Sequence, residues 1–132
     1  MATVQVTEKT FAATVKQGIV LLDFWAAWCG PCRAFAPVFE AAAKRHPDVV
    51  FGKVDTQAEP ALAAAFQVRA IPTLLVLRDG VLLAAQPGAV PAAALDELVK
   101  KVRALDMNEV QGRLDEQERK SATPHAARAG GV

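Results

Sequence analysis

The chain contains only two cysteines, Cys29 and Cys32, and both lie in the segment of residues 25–32. A continuous apolar run over residues 19–24 precedes this segment, and apolar residues at helical spacing follow it up to residue 46. The cysteines therefore lie where a buried strand ends and a helix begins. Because the N-terminus of a helix favours a thiolate, this position predicts thiol chemistry.

Hydrophobic periodicity divides the rest of the chain into alternating strands and helices. Short apolar runs predict five strands, over residues 4–6, 19–24, 49–55, 73–77 and 81–86. Apolar residues at helical spacing predict four helices, over residues 8–17, 33–46, 60–66 and 91–105. Thr7 is the expected N-cap of the first helix, and Asp79-Gly80 is the expected turn of a hairpin. The predicted fold class is α/β.

Length and composition limit the chain to one globular domain. It has 132 residues, of which 52% are hydrophobic and 22% are charged, with a formal net charge of +1. No basic cluster indicates a nucleic-acid-binding surface, and no apolar stretch is long enough for a membrane span. The N-terminus lacks the pattern of a signal peptide, so a cytoplasmic protein is expected.

The sequence changes in character after residue 106. Residues 107–120 are strongly charged, and the residues from 121 onward are small, polar and rich in glycine. We predict a domain over residues 1–106 and a charged extension over residues 107–132, of which the last part, from residue 121, is disordered. The charged stretch could either continue the last helix or dock weakly.

Several short motifs together resemble the thioredoxin family, and the similarity covers roughly residues 4–106. The motifs are Leu22-Asp23-Phe24-Trp25-Ala26, Trp28-Cys29-Gly30-Pro31-Cys32, Ala36-Pro37, Lys53-Val54-Asp55, Ile71-Pro72-Thr73, Asp79-Gly80 and Gly88-Ala89. The resemblance implies the thioredoxin fold, in which helices cover both faces of a mixed central β-sheet. Ala27 and Ala70 depart from the Glu and Gly that are common in the family, which bears on partner preference rather than on chemistry.

The spacing of the two cysteines suits disulfide exchange. Cys29, at the start of the helix, is the expected attacking thiolate, and Cys32, one turn deeper on the same helix face, is the expected resolving thiol. The alternatives are a structural disulfide or half of a zinc site, but a zinc site needs two further ligands. Only His46 and His125 remain, at no recognisable spacing, and both are predicted to lie at the surface. We therefore expect no metal.

The residues between the cysteines indicate the direction of the reaction. Gly30 and Pro31 carry no charge, whereas a cation at this place would stabilise the thiolate and make the pair a stronger oxidant. The pair is therefore expected to be of the reducing kind, which favours a disulfide reductase over an oxidase.

Asp23 is an isolated charged residue inside the apolar run. Alternation along the strand places it on the same face as Ile19 and Leu21, so its side chain should point inward. It could be a strand-end carboxylate that reaches water, or a buried acid with a raised pKa that moves a proton during resolution by Cys32. We favour the second role, which the resemblance also implies. Lys53 is the expected neighbour, although an ordinary exposed lysine is equally consistent with the sequence.

The resemblance also implies a substrate-binding rim around the cysteines. Most X–Pro bonds are trans, but the family holds the proline at the position of Pro72 in the cis form. The backbone of Ile71 could then pair with an extended substrate segment. The other rim residues would be Trp28, Gly88 and Ala89. A core position is the alternative for Trp28, although Trp25 is the better core candidate of the two.

The resemblance implies a general protein disulfide reductase that maintains redox homeostasis in the cytoplasm. It implies no bound cofactor, because electrons would come from NADPH through a thioredoxin reductase. The partners would be that reductase and proteins that contain disulfides, with no nucleic acid or membrane, and the protein should be a monomer. Two alternatives remain: a partner-specific reductase or isomerase of the same fold, and a binding or chaperone module that uses residues 107–132.

Overall fold

Five strands form one mixed sheet at the centre of the computed structural model, which describes the backbone of residues 2–130 and the side chains of residues 2–121. The strands are β1 (Val4–Gln5), β2 (Ile19–Trp25), β3 (Val50–Asp55), β4 (Thr73–Arg78) and β5 (Val81–Pro87). Their spatial order is β1-β3-β2-β4-β5. The β1–β3 and β3–β2 pairs are parallel, whereas β4 runs antiparallel to both β2 and β5.

Helices cover both faces of this sheet. They are α1 (Phe11–Val15), α2 (Gly30–Arg45), α3 (Pro60–Ala65), α4 (Ala92–Ala104) and α5 (Met107–Gly130). One core cluster joins α2 and α4 to the sheet through Phe39 and Leu95, and a second joins α1 and α3 to the sheet through Val15 and Leu62. This architecture confirms the predicted α/β fold, with a mixed sheet between two layers of helices.

The position of β2 at the centre of the sheet, with helices on both faces, explains why its sequence is continuously apolar. Leu21 packs in the cluster with α2 and α4, while Leu22 and Phe24 pack in the cluster with α1 and α3. All three side chains are fully buried. Burial of apolar surface stabilises a fold by about 25 cal/mol per Å², and in β2 the side chains on both faces contribute to it. The end of β2 is therefore a rigid support for the segment that follows it.

The first helix begins later than the sequence predicts. α1 starts at Phe11 rather than at residue 8, and its N-cap position is Thr10. Thr7 lies just before the turn that leads into the helix. Its N–H donates to Thr10 Oγ1 at 2.9 Å, its Oγ1 accepts from the N–H of Thr10 at 3.3 Å, and its carbonyl accepts from the N–H of Phe11 at 2.9 Å. The predicted position of the N-cap was wrong because a turn over residues 8–10 precedes the helix, so that Thr10 stands at the N-cap position, although its side chain makes no capping hydrogen bond.

The C-terminal part of the chain contains one further helix. The chain divides into two compact units, Met1–Val102 and Arg103–Val132, and α5 makes up most of the second. Asp106 caps this helix, since its Oδ1 accepts from the backbone N–H groups of Asn108 and Glu109 at 3.0 and 3.2 Å.

The predicted disorder of residues 121–132 is not decided by the structure. α5 includes the backbone up to residue 130, whereas the side chains from residue 122 onward and all of residues 131 and 132 lie outside the described part. The disorder therefore stays a prediction. Within residues 2–130, no helix combines the length and the apolar character that crossing a membrane would require.

Candidate active site

The two cysteines lie at the junction of β2 and α2. Cys29 is the N-cap residue of α2, with an extended backbone, and Pro31 occupies the first turn, where its missing N–H is of no consequence. The backbone N–H of Cys32 donates to Cys29 Sγ at 3.2 Å. The helix start therefore directs an N–H group and the positive end of its dipole at this sulfur. Cys29 and Cys32 form a disulfide, with their Cα atoms 5.2 Å apart.

Both cysteines are almost fully buried. Cys29 is 4% exposed and Cys32 is 3% exposed, so exposure does not distinguish the attacking thiol from the resolving one. The two sulfurs pack in a small cluster with Ala26, and Trp25 and Ile71 lie partly buried against it. The position of Cys29 at the N-cap is the feature that separates the two thiols.

The segment before β4 lies against Cys29. The peptide bond between Ile71 and Pro72 is cis, and the carbonyl oxygen of Ile71 is 3.7 Å from Cys29 Sγ. The N–H of Gly88 donates to the carbonyl of Pro72 at 2.7 Å. The φ angle of Gly88 is +91°, which residues with a side chain rarely adopt. The structure thus brings Ile71, Pro72 and Gly88 together beside the cysteine pair.

Trp28 and Ala89 are exposed. Trp28 is 65% exposed, so the alternative of a core position for this residue is wrong. Trp25 is the more buried of the two tryptophans, as the sequence predicts. Tryptophan is enriched at the energetically dominant positions of protein interfaces, so an exposed Trp28 directly before Cys29 is suited to contact a partner.

Asp23 is fully buried within β2. Neither of its carboxylate oxygens has a hydrogen-bond partner among the residues whose side chains are described. The loss of hydration disfavours the charged form and raises the pKa of Asp23 from 3.8 to about 6. Lys53 lies directly opposite Asp23 in the β2–β3 pairing, and its charge lowers this pKa by less than burial raises it. Asp23 is therefore a buried acid with Lys53 as its neighbour.

Lys53 is half-buried and contacts an aromatic ring. Its Nζ lies 4.7 Å from the centroid of the Trp25 ring, which is within the range of a cation–π contact. Lys53 and Trp25 also line a surface groove of about 390 Å³, together with Pro37 and Glu40. Lys53 therefore faces both the strand that carries Asp23 and a groove that is open to water.

Arg33 is a residue of the site that the sequence did not predict. It follows Cys32 directly and is exposed, and its Nη1 donates to the carbonyl oxygen of Ala27 at 2.8 Å. The signal in the sequence is a cation one position beyond the second cysteine. Spacing alone does not show that this side chain turns back toward the start of the helix.

His46, the histidine whose side chain is described, takes no part in the site. The prediction that His46 lies at the surface was wrong, because it is half-buried, its Nε2 is 2.7 Å from Asp96 Oδ1, and its ring stacks on Phe51. Hydrogen bonds from His46 and Arg45 hold the pKa of Asp96 below its usual range. His125 lies outside the described side chains. Within those described, no group of three or more His, Cys, Asp or Glu residues is arranged to hold a metal ion.

Comparison with known proteins identifies the family. A family model described as thioredoxin matches residues 2–101. The chain belongs to the thioredoxin family. It is 52% identical over 118 residues to the "Putative thioredoxin 2" of Streptomyces coelicolor, a match that covers 89% of this chain and 88% of the relative. It is 43% identical over 102 residues to the "Thioredoxin" of Bacillus subtilis, covering 76% of this chain and 98% of the relative.

A solved structure supports the same fold. It comes from work on the thiol resolving mechanism in yeast mitochondrial 1-Cys peroxiredoxin via glutathione and thioredoxin systems. Its TM-score is 0.69 and its sequence identity 31%, and the match covers 75% of this chain and 94% of that chain. The Streptomyces match is longer than the predicted domain of residues 1–106, so it includes part of the extension.

Family membership and the cysteine pair together define the activity. The chain carries the two cysteines that the thioredoxin reaction requires. In the structure they are oxidised to a disulfide at the start of α2. The protein is therefore a thiol-disulfide oxidoreductase with dithiol-disulfide reductase activity.

Proposed function

We propose that this protein is a general protein disulfide reductase in which Cys29 attacks and Cys32 resolves. The thiolate of Cys29 attacks one sulfur of a substrate disulfide, forms a mixed disulfide and releases the other substrate sulfur as a thiolate. Cys32 then loses its proton and attacks Cys29 Sγ. The Cys29–Cys32 disulfide forms, the second substrate sulfur leaves as a thiolate, and two electrons have passed to the substrate.

One observation carries the assignment of the two thiols. The N–H of Cys32 donates to Cys29 Sγ at the start of α2, at 3.2 Å. Hydrogen bonding to the charged form favours that form, so this contact supports a thiolate on Cys29 rather than on Cys32. Gly30 and Pro31 form the turn between the two sulfurs without adding a charge, which supports the reducing direction.

Asp23 is proposed to take the proton from Cys32 during resolution. The support is its complete burial and a pKa raised to about 6, which leaves the group largely ionised at neutral pH and still able to hold a proton. Lys53 is proposed to assist, because its charge opposes the effect of burial and keeps Asp23 able to ionise. Both side chains belong to paired strands, so their positions are fixed by the sheet.

Substrate disulfides are proposed to bind across the rim of the site. The proposed rim residues are Trp28, Ile71, Gly88 and Ala89. The hydrogen bond from Gly88 to Pro72 and the distance of 3.7 Å between the carbonyl oxygen of Ile71 and Cys29 Sγ support this role. An extended substrate segment could pair with this backbone as an added strand does. Backbone pairing depends little on sequence, which favours a broad substrate range.

Electrons are proposed to come from NADPH through a thioredoxin reductase, as membership of the family implies. Proteins with disulfides would be the other partners, and the cysteine pair would carry the electrons without a bound cofactor. The reducing direction suits the cytoplasm, where protein thiols are kept reduced. We propose that the protein acts there as a monomer, with residues 1–106 as the redox domain and residues 107–132 as a separate extension.

Trapping of substrates tests this proposal. A Cys32→Ser variant should hold substrate proteins as mixed disulfides through Cys29, because the resolving thiol is missing. The captured proteins are released by a reductant and identified by mass spectrometry, and a variant with both cysteines changed to serine is the control. Capture by Cys29→Ser instead of Cys32→Ser would reverse the assigned roles.

The same experiment separates the alternative functions. A single captured protein would favour a partner-specific reductase or isomerase. Capture that persists without either cysteine and is lost on removal of residues 107–132 would favour a binding module. Many captured proteins, all dependent on Cys29, are the result expected of a general reductase.

A further inference from the structure

The guanidinium group of Arg33 lies near the backbone before Cys29 and near Gly30, which follows it. Nη1 donates to the carbonyl oxygen of Ala27 at 2.8 Å, and Nη2 is 3.9 Å from the position that a Cβ atom at Gly30 would occupy. Ala27 precedes Cys29 by two residues, and Gly30 follows it directly. The guanidinium therefore lies close to the short segment that holds Cys29.

The charge of Arg33 is not neutralised at this place. The first turn of α2 contains no acidic residue. No carboxylate among the described side chains forms an ion pair with Arg33. The guanidinium therefore adds a full positive charge to the partial charge that the helix N-terminus already has. Both act on the same end of α2, where Cys29 Sγ accepts the N–H of Cys32.

We propose that Arg33 is a positioning residue for Cys29, which holds the segment before the cysteine through Ala27 and stabilises the Cys29 thiolate by its charge. The inference rests on the proposed role of Cys29 as the attacking thiolate. It also modifies the expectation drawn from Gly30 and Pro31, which supply no cation between the cysteines. The cation comes from outside the pair, and it makes the pair a stronger oxidant than those two residues alone would.

The size of the effect follows from Coulomb's law. For two unit charges about 5–8 Å apart in a water-like dielectric, the interaction corresponds to a shift of about 0.4–0.6 pH units in the ionisation of one of them. Because Arg33 is exposed, the shift should shrink in about 1 M NaCl, where the Debye length is about 3 Å.

The test measures how fast the reduced protein is alkylated by iodoacetamide, a neutral reagent, between about pH 5 and pH 9 at low salt. Arg33→Gln removes the charge and keeps an N–H donor for the Ala27 carbonyl. Arg33→Lys keeps the charge. Lys44→Gln removes the same charge from the exposed last turn of α2 and is the matched control. Peptide mass analysis identifies which cysteine is alkylated, and urea unfolding checks that each variant is folded.

The expected result is a midpoint of the pH–rate profile that rises by about 0.4–0.6 units in Arg33→Gln and by less than about 0.2 units in Arg33→Lys and Lys44→Gln. An unchanged midpoint in Arg33→Gln, with alkylation on Cys29, would overturn the inference and leave the proposed function intact. An equal shift in Lys44→Gln would overturn it as well, because the effect would then be one of net charge. Alkylation of Cys32 first in the wild type would overturn the role of Cys29 and this inference with it.

Discussion

Replacement of Asp23 by asparagine should stabilise the oxidised protein at neutral pH. The carboxyl group of Asp23 is fully buried, and the loss of hydration raises its pKa from 3.8 to about 6. Between these two pH values, the unfolded chain has already ionised this group while the folded protein keeps it protonated. The folded protein therefore binds one more proton, and its free energy of unfolding falls by about 1.4 kcal/mol per pH unit across the window.

The window is about two pH units wide, so the free energy of unfolding of the wild type should fall by about 3 kcal/mol across it. That of the asparagine variant should not fall in this way. The stability associated with the protonated Asp23 is fully present below pH 3.8 and is lost as the pH rises through about 6. The difference between the variant and the wild type should therefore grow between about pH 4 and pH 7 and then stay constant. Burying the amide of asparagine also costs free energy, but this cost is the same at every pH. It therefore does not contribute to the change with pH of the difference between the variant and the wild type.

Urea unfolding of the two oxidised proteins, followed by far-ultraviolet circular dichroism, measures this difference. Series at several pH values between about 4 and 8 would cover the whole window. Glu97→Gln removes an exposed carboxylate from α4 and is the control, with no comparable growth expected. If the difference between the Asp23→Asn variant and the wild type were the same at both ends of the series, burial would not be raising the pKa of Asp23, and the reasoning would fail.

Two further predictions concern packing and substrate binding. Gly52→Ala should destabilise the protein by about 1–3 kcal/mol in urea unfolding, because a Cβ there would lie 2.7 Å from side-chain atoms of both Leu22 and Val6 in the core. An unchanged unfolding midpoint would mean that these side chains can move aside without loss of stability. Trp28→Ala should lower kcat/KM for a protein disulfide by about tenfold, since an exposed tryptophan contributes contact area, while reduction of a small aromatic disulfide should change little; equal losses for both would indicate damage to the cysteine pair instead.

The sequence predicts the helices and strands of this fold well, because the spacing of its apolar residues reflects which side chains are buried. The continuous apolar run of β2 follows from coverage on both faces, and the Asp79-Gly80 turn is confirmed between β4 and β5. The order of the strands in the sheet depends on contacts between distant segments, so the periodicity of the sequence does not contain it. The start of α1 could not be placed, because Thr7 and Thr10 are equally good caps by residue type.

The candidate site was predictable where its residues are adjacent in sequence, and less so elsewhere. The spacing of Cys29 and Cys32 and the burial of Asp23 could be inferred locally. The pairing of Asp23 with Lys53 depends on the register between two strands, which a periodicity does not contain. The contact of Arg33 with Ala27 depends on the direction of one long side chain at the helix start.

With its raised pKa, Asp23 is expected to lower the stability of the protein at neutral pH, and the proposed proton transfer offers a reason for its position. An apolar residue in its place would avoid a penalty of about 3 kcal/mol at neutral pH, out of the 5–15 kcal/mol typical of a domain. Lys53 offsets only part of this penalty, because its charge lowers the pKa of Asp23 by less than burial raises it. Complete pairing would return the pKa of Asp23 to its ordinary range, and the group could then no longer hold a proton near neutral pH. The lost stability and the raised pKa are therefore one property, so the unfolding of Asp23→Asn measures the pKa shift on which the proposed proton transfer from Cys32 depends.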